Sequence, residues 1–130
     1  SADIIYLDPP YNSRQYCDNY HVLENIARWE KPPLLGKTLK FDRSGLRSRY
    51  SKRREAARAL AELVTKADCR YLFLSYNSEG IISDEEILAI LQAKGKVTVR
   101  EQPYSVFGNG AGRSRRRQLV ERIFICEVSR

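Results

Sequence analysis

Apolar positions along the chain fall into two patterns. Some run almost without interruption for a strand's length, and others recur every three or four residues as on one face of a helix. The first run, Ile4 to Leu7, reads as a buried strand that Pro9 and Pro10 stop at Asp8. Asp18 or Asn19 is placed to cap a helix through about Glu30, with Val22, Ile26 and Trp29 on one apolar face and Pro32-Pro33 ending it. Residues 34 to 50 show no clean periodicity and read as a basic loop. A second helix is expected from Ser51 to Ala67, burying Ala56, Leu60, Leu63, Val64 and Ala67 and turning Lys52, Arg53, Arg54 and Arg58 outward. Arg70 to Asn77 is apolar enough to predict a parallel strand covered on both faces.

Ser83 with Glu86 forms a capping box ahead of a third helix that buries Ile87, Leu88, Ile90 and Leu91, with Gly95 as its C′ glycine. Lys96 to about Tyr104 and Leu119 to Val128 are the last strands. No helix fits between them, so an antiparallel pair around a basic loop at 108–117 is expected. The order β-α-α-β-α-β-β predicts an α/β layer of parallel strands closed by an antiparallel last strand, in one domain spanning residues 1–130. Ligands of such sheets sit beyond the carboxyl ends of the strands. Asp8, Asn77 and Tyr104 lie at those ends and are expected to face one crevice.

Composition narrows the class. With 130 residues, 42% hydrophobic and 30% charged, the chain suits one soluble core, and no apolar run approaches the ~18 residues of a membrane span. Cys17, Cys69 and Cys126 are too few and scattered for a disulfide framework or a metal cluster, which points to a reducing compartment and no metal. The chain starts almost directly on a buried strand, so we expect a piece of a longer protein, with Ser1-Ala2 left over from cloning. The net charge of +7 is concentrated in two segments, one holding Lys52, Arg53 and Arg54 and the other Arg113, Arg115, Arg116 and Arg117. Such clustering is a phosphate-binding footprint, set against the plainer reading of a surface kept soluble by charge. His21, the only histidine, has no second His, Cys or Ser constellation beside it and is assigned no chemistry.

The chemistry concentrates at Asp8-Pro9-Pro10-Tyr11. Two prolines make a stiff turn with free carbonyls, next to an acid and an aromatic ring. This set accepts hydrogen bonds beside a stacking surface and suits a planar ligand bearing an amino group.

The tetrapeptide resembles the catalytic motif of amino methyltransferases. The longer run Tyr6-Leu7-Asp8-Pro9-Pro10-Tyr11-Asn12-Ser13-Arg14-Gln15-Tyr16, followed by Tyr20-His21-Val22-Leu23-Glu24-Asn25-Ile26-Ala27, resembles the D12-class adenine-specific DNA methyltransferases. That group contains the Dam-like enzymes and many restriction-system modification methylases. Phe73 to Gly80 and Gln102-Pro103-Tyr104 are similar to its later motifs. The resemblance implies the C-terminal half of a Rossmann-like sheet, S-adenosylmethionine as methyl donor, DNA as substrate and a prokaryotic cytoplasm. The family's glycine-rich cofactor turn and its target-recognition region are absent. Gly108 to Gly112 sits in a hairpin loop and does not replace that turn.

By this resemblance Asp8 and the Pro9 carbonyl accept the two N6 hydrogens of a flipped-out adenine, Pro10 stiffens the turn, and Tyr11 stacks on the base. Tyr104 and Asn12 are further substrate contacts, and Asp8 and Tyr6 face the cofactor. Tyr76 and Asn77 are support or cofactor-side contacts. A separate N-terminal half, or a second copy, is expected to pair with the first-strand edge. An RNA base methyltransferase and a non-catalytic nucleic-acid-binding remnant are the competing functions.

Overall fold

The structure is a computed structural model that describes residues 1–15, 17, 20–37, 41–42, 44–105 and 118–129. Its elements are β1 (Ala2–Leu7), α1 (His21–Arg28), two 3-10 turns (Ser44–Leu46 and Arg49–Ser51), α2 (Ala56–Lys66), β2 (Cys69–Asn77), α3 (Asp84–Gln92), β3 (Gly95–Ser105) and β4 (Gln118–Val128). The expected caps Asp18 and Asn19, and the loop carrying Arg113, Arg115, Arg116 and Arg117, lie outside the described residues.

The four strands form one sheet in the order β1-β2-β4-β3. β1 and β2 are parallel, with Ile5 beside Leu72 and Leu7 beside Leu74. β4 runs antiparallel to both β2 and β3. The expected α/β class and terminal antiparallel pair are therefore present. The last strand does not close an edge, however. It is inserted between β2 and β3, because the hairpin folds back so that Phe124 and Cys126 lie beside Leu74 and Leu72 in the core. β1, β2 and β3 consequently share one direction, and their carboxyl ends share one rim.

Packing is one-sided. Helices α2 and α3 cover the face bearing Leu72, Leu74, Tyr76, Phe124 and Cys126, and they contribute Ala56, Leu60, Val64, Ile87 and Leu91 to the core. The capping box of α3 is fully formed, with the Glu86 amide donating to Ser83 Oγ and the Ser83 amide donating to Glu86. The expectation that β2 is covered on both faces is overturned. Its burial alternates along the strand, and neighbours on the second face stay open: Ile4, Tyr6 and Ile123 are exposed. An apolar run shows what a strand can bury, and among the described residues only one layer is present to bury it.

Other expectations shift for local reasons. Leu63 is exposed on α2, and Ala59 takes its place in the core. Helix α1 buries nothing: Val22, Leu23, Ile26 and Trp29 all face outward, so the periodic stripe has no partner among the described residues. Gly95 is not a left-handed helix cap, since its φ is not positive. It opens β3, where a Cβ would overlap the Glu127 carbonyl oxygen and lie 2.8 Å from its carbon. Close approach of two strands, not a turn, requires that glycine. No helix of the described residues is long and apolar enough to cross a membrane.

Candidate active site

β1 delivers Asp8 to the rim and the two prolines end the strand there. The Asp8 side chain is exposed and makes no hydrogen bond or ion pair with a described residue. No described backbone donor reaches the Pro9 carbonyl. Tyr11 keeps 42% of its surface exposed. An unpartnered carboxylate, an unpartnered carbonyl and an open ring therefore stand on four consecutive residues.

What holds them is the loop after β2. The Ile81 amide donates to the Tyr11 carbonyl at 2.8 Å. That loop is anchored at several points. The Gly80 amide donates to the Asn77 carbonyl at 2.9 Å and the Ile82 amide to the Tyr76 hydroxyl at 3.2 Å. The Glu79 amide donates to Asn77 Oδ1 at 2.8 Å, while Asn77 Nδ2 donates to Glu121 at 3.0 Å. Burial raises the Tyr76 phenol above its ordinary pKa, so it stays neutral beneath the loop. Gly80 rests directly on this ring: a Cβ there would overlap Tyr76 Cε1 and come within 2.8 Å of Cδ1. Sequence reasoning placed Tyr76 and Asn77 as support but missed the strap itself. Its available signal was a glycine three residues past a buried-looking strand.

The other candidate residues fare differently. Asn12 uses its Oδ1 to accept the Arg14 amide at 2.9 Å, an Asx turn that keeps the chain compact after Tyr11. Tyr104 sits on β3 opposite Leu119, and only its strand position is described. β3 is separated from β1 by two strands, roughly 14 Å at the usual spacing, so rim and direction are shared but the two residues are not brought together. Tyr6 lies on the open sheet face, 60% exposed. Lys52 is tied to Glu55 at 3.2 Å, whereas Arg53 and Arg54 are exposed without a partner among the described residues. A cavity of about 850 Å³ lies elsewhere, lined by Asp3, Thr65, Asp68, Arg70 and Lys94 at the opposite ends of the strands. From Asp3 to Asp8 is about 16 Å of strand, so that cavity is no part of this site.

A parallel strand pair ending in Asp-Pro-Pro-Tyr, on a sheet with an inserted antiparallel strand, is consistent with the catalytic sheet of an α/β methyltransferase. Residues 1–90 match the family of D12 class N6 adenine-specific DNA methyltransferases, and the chain belongs to that family. Among its relatives are modification methylase StsI of Streptococcus sanguinis, 41% identical over 97% of this chain and 20% of the relative, and type II methyltransferase M.FokI of Planomicrobium okeanokoites, 44% identical over 72% and 14%. Type II methyltransferase M.NlaIII of Neisseria lactamica is 40% identical over 82% of this chain and 31% of its own length. The chain thus spans less than a third of each of these relatives. No solved structure matches it.

Proposed function

We propose that this chain carries the adenine-binding wall of a DNA adenine-N6 methyltransferase of the restriction-modification type. The observation that supports this reading best is the unpartnered Asp8 carboxylate beside the free Pro9 carbonyl and the exposed Tyr11 ring. Adenine's exocyclic nitrogen is a poor nucleophile because its lone pair delocalises into the ring. Asp8 accepts one N6–H and the Pro9 carbonyl the other, which localises that lone pair toward the methyl donor. The proton leaves the nitrogen readily once it is methylated, so Asp8 acts by position and charge more than by basicity. Tyr11 holds the flipped base by stacking, worth about 1–3 kcal/mol.

S-adenosylmethionine supplies an electrophilic methyl group in this family's chemistry. The residues present fit it on one side only. Asp8 and Tyr6 are exposed and open to contact, but the family's glycine-rich turn has no counterpart in this sequence, and the main cradle is assigned to residues outside these 130. The open sheet face and the β1 edge fit a separately folded N-terminal half or a second copy, which we propose as the assembly partner.

The test is methyl transfer to DNA by a full-length methylase containing this segment. Asp8→Ala is expected to lower kcat by about 10²–10³ or more, with DNA affinity retained. Retained turnover removes Asp8 from the mechanism, and transfer to structured RNA in place of DNA replaces the substrate assignment. Calorimetry of the isolated chain is expected to show no binding of S-adenosylmethionine.

A further inference from the structure

The basic residues of the turn after Tyr11 and of the segment between α1 and β2 divide into two groups. Some cations are spent within the fold. Arg49 donates to both Glu62 oxygens at 2.8 and 3.1 Å, Lys52 pairs with Glu55, and Arg58 pairs with Glu62. The strong bond to Glu62 holds the Arg49 guanidinium charged and pulls the Glu62 carboxyl below its ordinary value. Others have no acid. Arg14, Arg47, Arg53 and Arg54 are exposed and make no ion pair or side-chain hydrogen bond with a described residue.

Two buried polar residues bring this second group together. Gln15, only 9% exposed, accepts the Ser48 amide on its Oε1 at 2.8 Å. Ser51, 4% exposed, donates its hydroxyl to the Arg14 carbonyl at 3.4 Å. The turn after Tyr11 is thereby stitched to the 3-10 turn at Arg49–Ser51 across more than thirty residues of sequence. Arg14 and Arg47 each stand one residue before a partner in the first stitch, and Arg53 and Arg54 follow just past the second. Arg14 is three residues beyond Tyr11, so its Cα lies within about 11 Å of the proposed base stack. Side-chain amides and hydroxyls are buried at a cost unless they bond, and here each of the two is used to hold an unpaired arginine at that spot.

We propose that Arg14 and Arg47, backed by Arg53 and Arg54, form a phosphate-gripping rim that holds the DNA strand on either side of the adenine stacked on Tyr11. The proposal rests on the adenine methyltransferase reading and adds the backbone contact to it. Guanidinium forks match phosphate oxygens in a bidentate way. Such contacts position the strand without reading its sequence, which is what a flipped base requires from its flanks. Among the described residues these four arginines have no acid, while Arg49, Lys52 and Arg58 are paired. A rim kept merely for solubility gives no reason for that division.

The experiment is binding of the full chain to a short labelled DNA duplex by fluorescence anisotropy across about 50–200 mM salt, without cofactor, reading the slope of log K against log salt. Each lost phosphate contact removes about 0.9 from the slope. The double variant Arg14→Gln/Arg47→Gln is expected to lower it by about 1.8, and Arg58→Gln to leave it unchanged. Gln15→Leu changes no charge, yet it is expected to lower the slope by releasing the turn, with the α-helical circular dichroism signal retained. Absence of salt-dependent DNA binding overturns the proposal. So does an unchanged slope in the double variant, an equal loss in Arg58→Gln, or binding to structured RNA but not DNA. None of these readouts involves methyl transfer, so they fail separately from the Asp8→Ala test of the enzymatic reading.

Discussion

The Gly80 strap makes a prediction whose sign runs against habit. Replacing a glycine of ordinary φ by alanine usually stabilises a protein by about 0.4–1 kcal/mol, because the unfolded chain loses freedom. Gly80 has no positive φ, so on backbone grounds alanine is welcome. The ring beneath decides otherwise. The new Cβ would overlap Tyr76 Cε1 and lie 2.8 Å from Cδ1 and 2.9 Å from Cζ, against a comfortable carbon separation of about 3.5–4.0 Å. Tyr76 is 2% exposed and packed in the core, so the ring has nowhere to retreat and the loop must lift. Overpacking of this kind costs about 1–3 kcal/mol. A lifted loop also loses the bonds from Ile82 to Tyr76 and from Ile81 to Tyr11, each worth about 0.5–1.5 kcal/mol.

Set against the entropic gain, a net destabilisation of about 2–4 kcal/mol is expected for Gly80→Ala. Urea unfolding of the chain measures it as a lowered midpoint at constant m. A double-mutant cycle with Tyr76→Ala, which removes the ring, is expected to recover at least about 1 kcal/mol as coupling. Unchanged or increased stability of Gly80→Ala, or additivity in the cycle, refutes the argument that the ring and the glycine are fitted to each other.

Three further outcomes follow from the same geometry. Arg122, with 18% of its side chain exposed, bonds Glu101 at 2.8 Å and Asp84 at 2.9 Å, so Arg122→Met is expected to cost about 1–3 kcal/mol and to speed amide exchange around Glu101; a loss under about 0.5 kcal/mol shows the pair to be an ordinary surface contact. Ile26→Ala in α1 is expected to change the stability of the isolated chain by less than about 0.5 kcal/mol, because that face is uncovered; a core-sized loss in urea unfolding contradicts the exposed helix. Burial raises the Tyr76 pKa in the folded state, so the neutral phenol's contribution is whole below the unfolded value of about 10 and fades as the pH climbs through the higher folded value. The stability gap between wild type and Tyr76→Phe is therefore expected to narrow above about pH 10, and a constant gap removes the ionisation from consideration.

Much of this architecture was legible in residue pattern because short-range rules governed it. Strand ends at Pro9 and at Ser78, the capping box at Ser83, and the hairpin of β3 and β4 all follow from neighbours in sequence. The exposed position of Asp8 and Tyr11 past the end of β1 was legible because the two prolines stop the strand there. The misreadings share another cause. Whether β2 is covered on one face or two, and whether the stripe of Val22, Ile26 and Trp29 is buried, depends on which layers are present, and periodicity does not report that. Tyr104 was drawn toward Asp8 by its position at a strand end, but the insertion of β4 put two strands between them. The Gln15–Ser48 and Ile81–Tyr11 bonds were invisible because nothing local distinguishes a glutamine or a backbone amide that will meet a partner thirty or seventy residues away.

These long-range bonds also show how the acid is aimed. β1 is an edge strand with a single ladder, to β2, so Asp8 is fixed on one flank by that pairing and beyond it by the Ile81 strap on Tyr11. Its other flank presents the unpaired backbone groups of an edge, beside the exposed Ile4 and Tyr6. A strand added there satisfies the free ladder and restricts the last residues of β1 from the second side, and a layer on the open face buries Tyr6 next to Asp8. On the proposed reading, the surface that recruits the partner is therefore continuous with the surface that faces the methyl donor. On that same reading assembly and alignment of Asp8 are one event: the loop beside Tyr11 is already held by Tyr76, Gly80 and Ile81, and the proposed donor side takes form only as β1 ceases to be an edge.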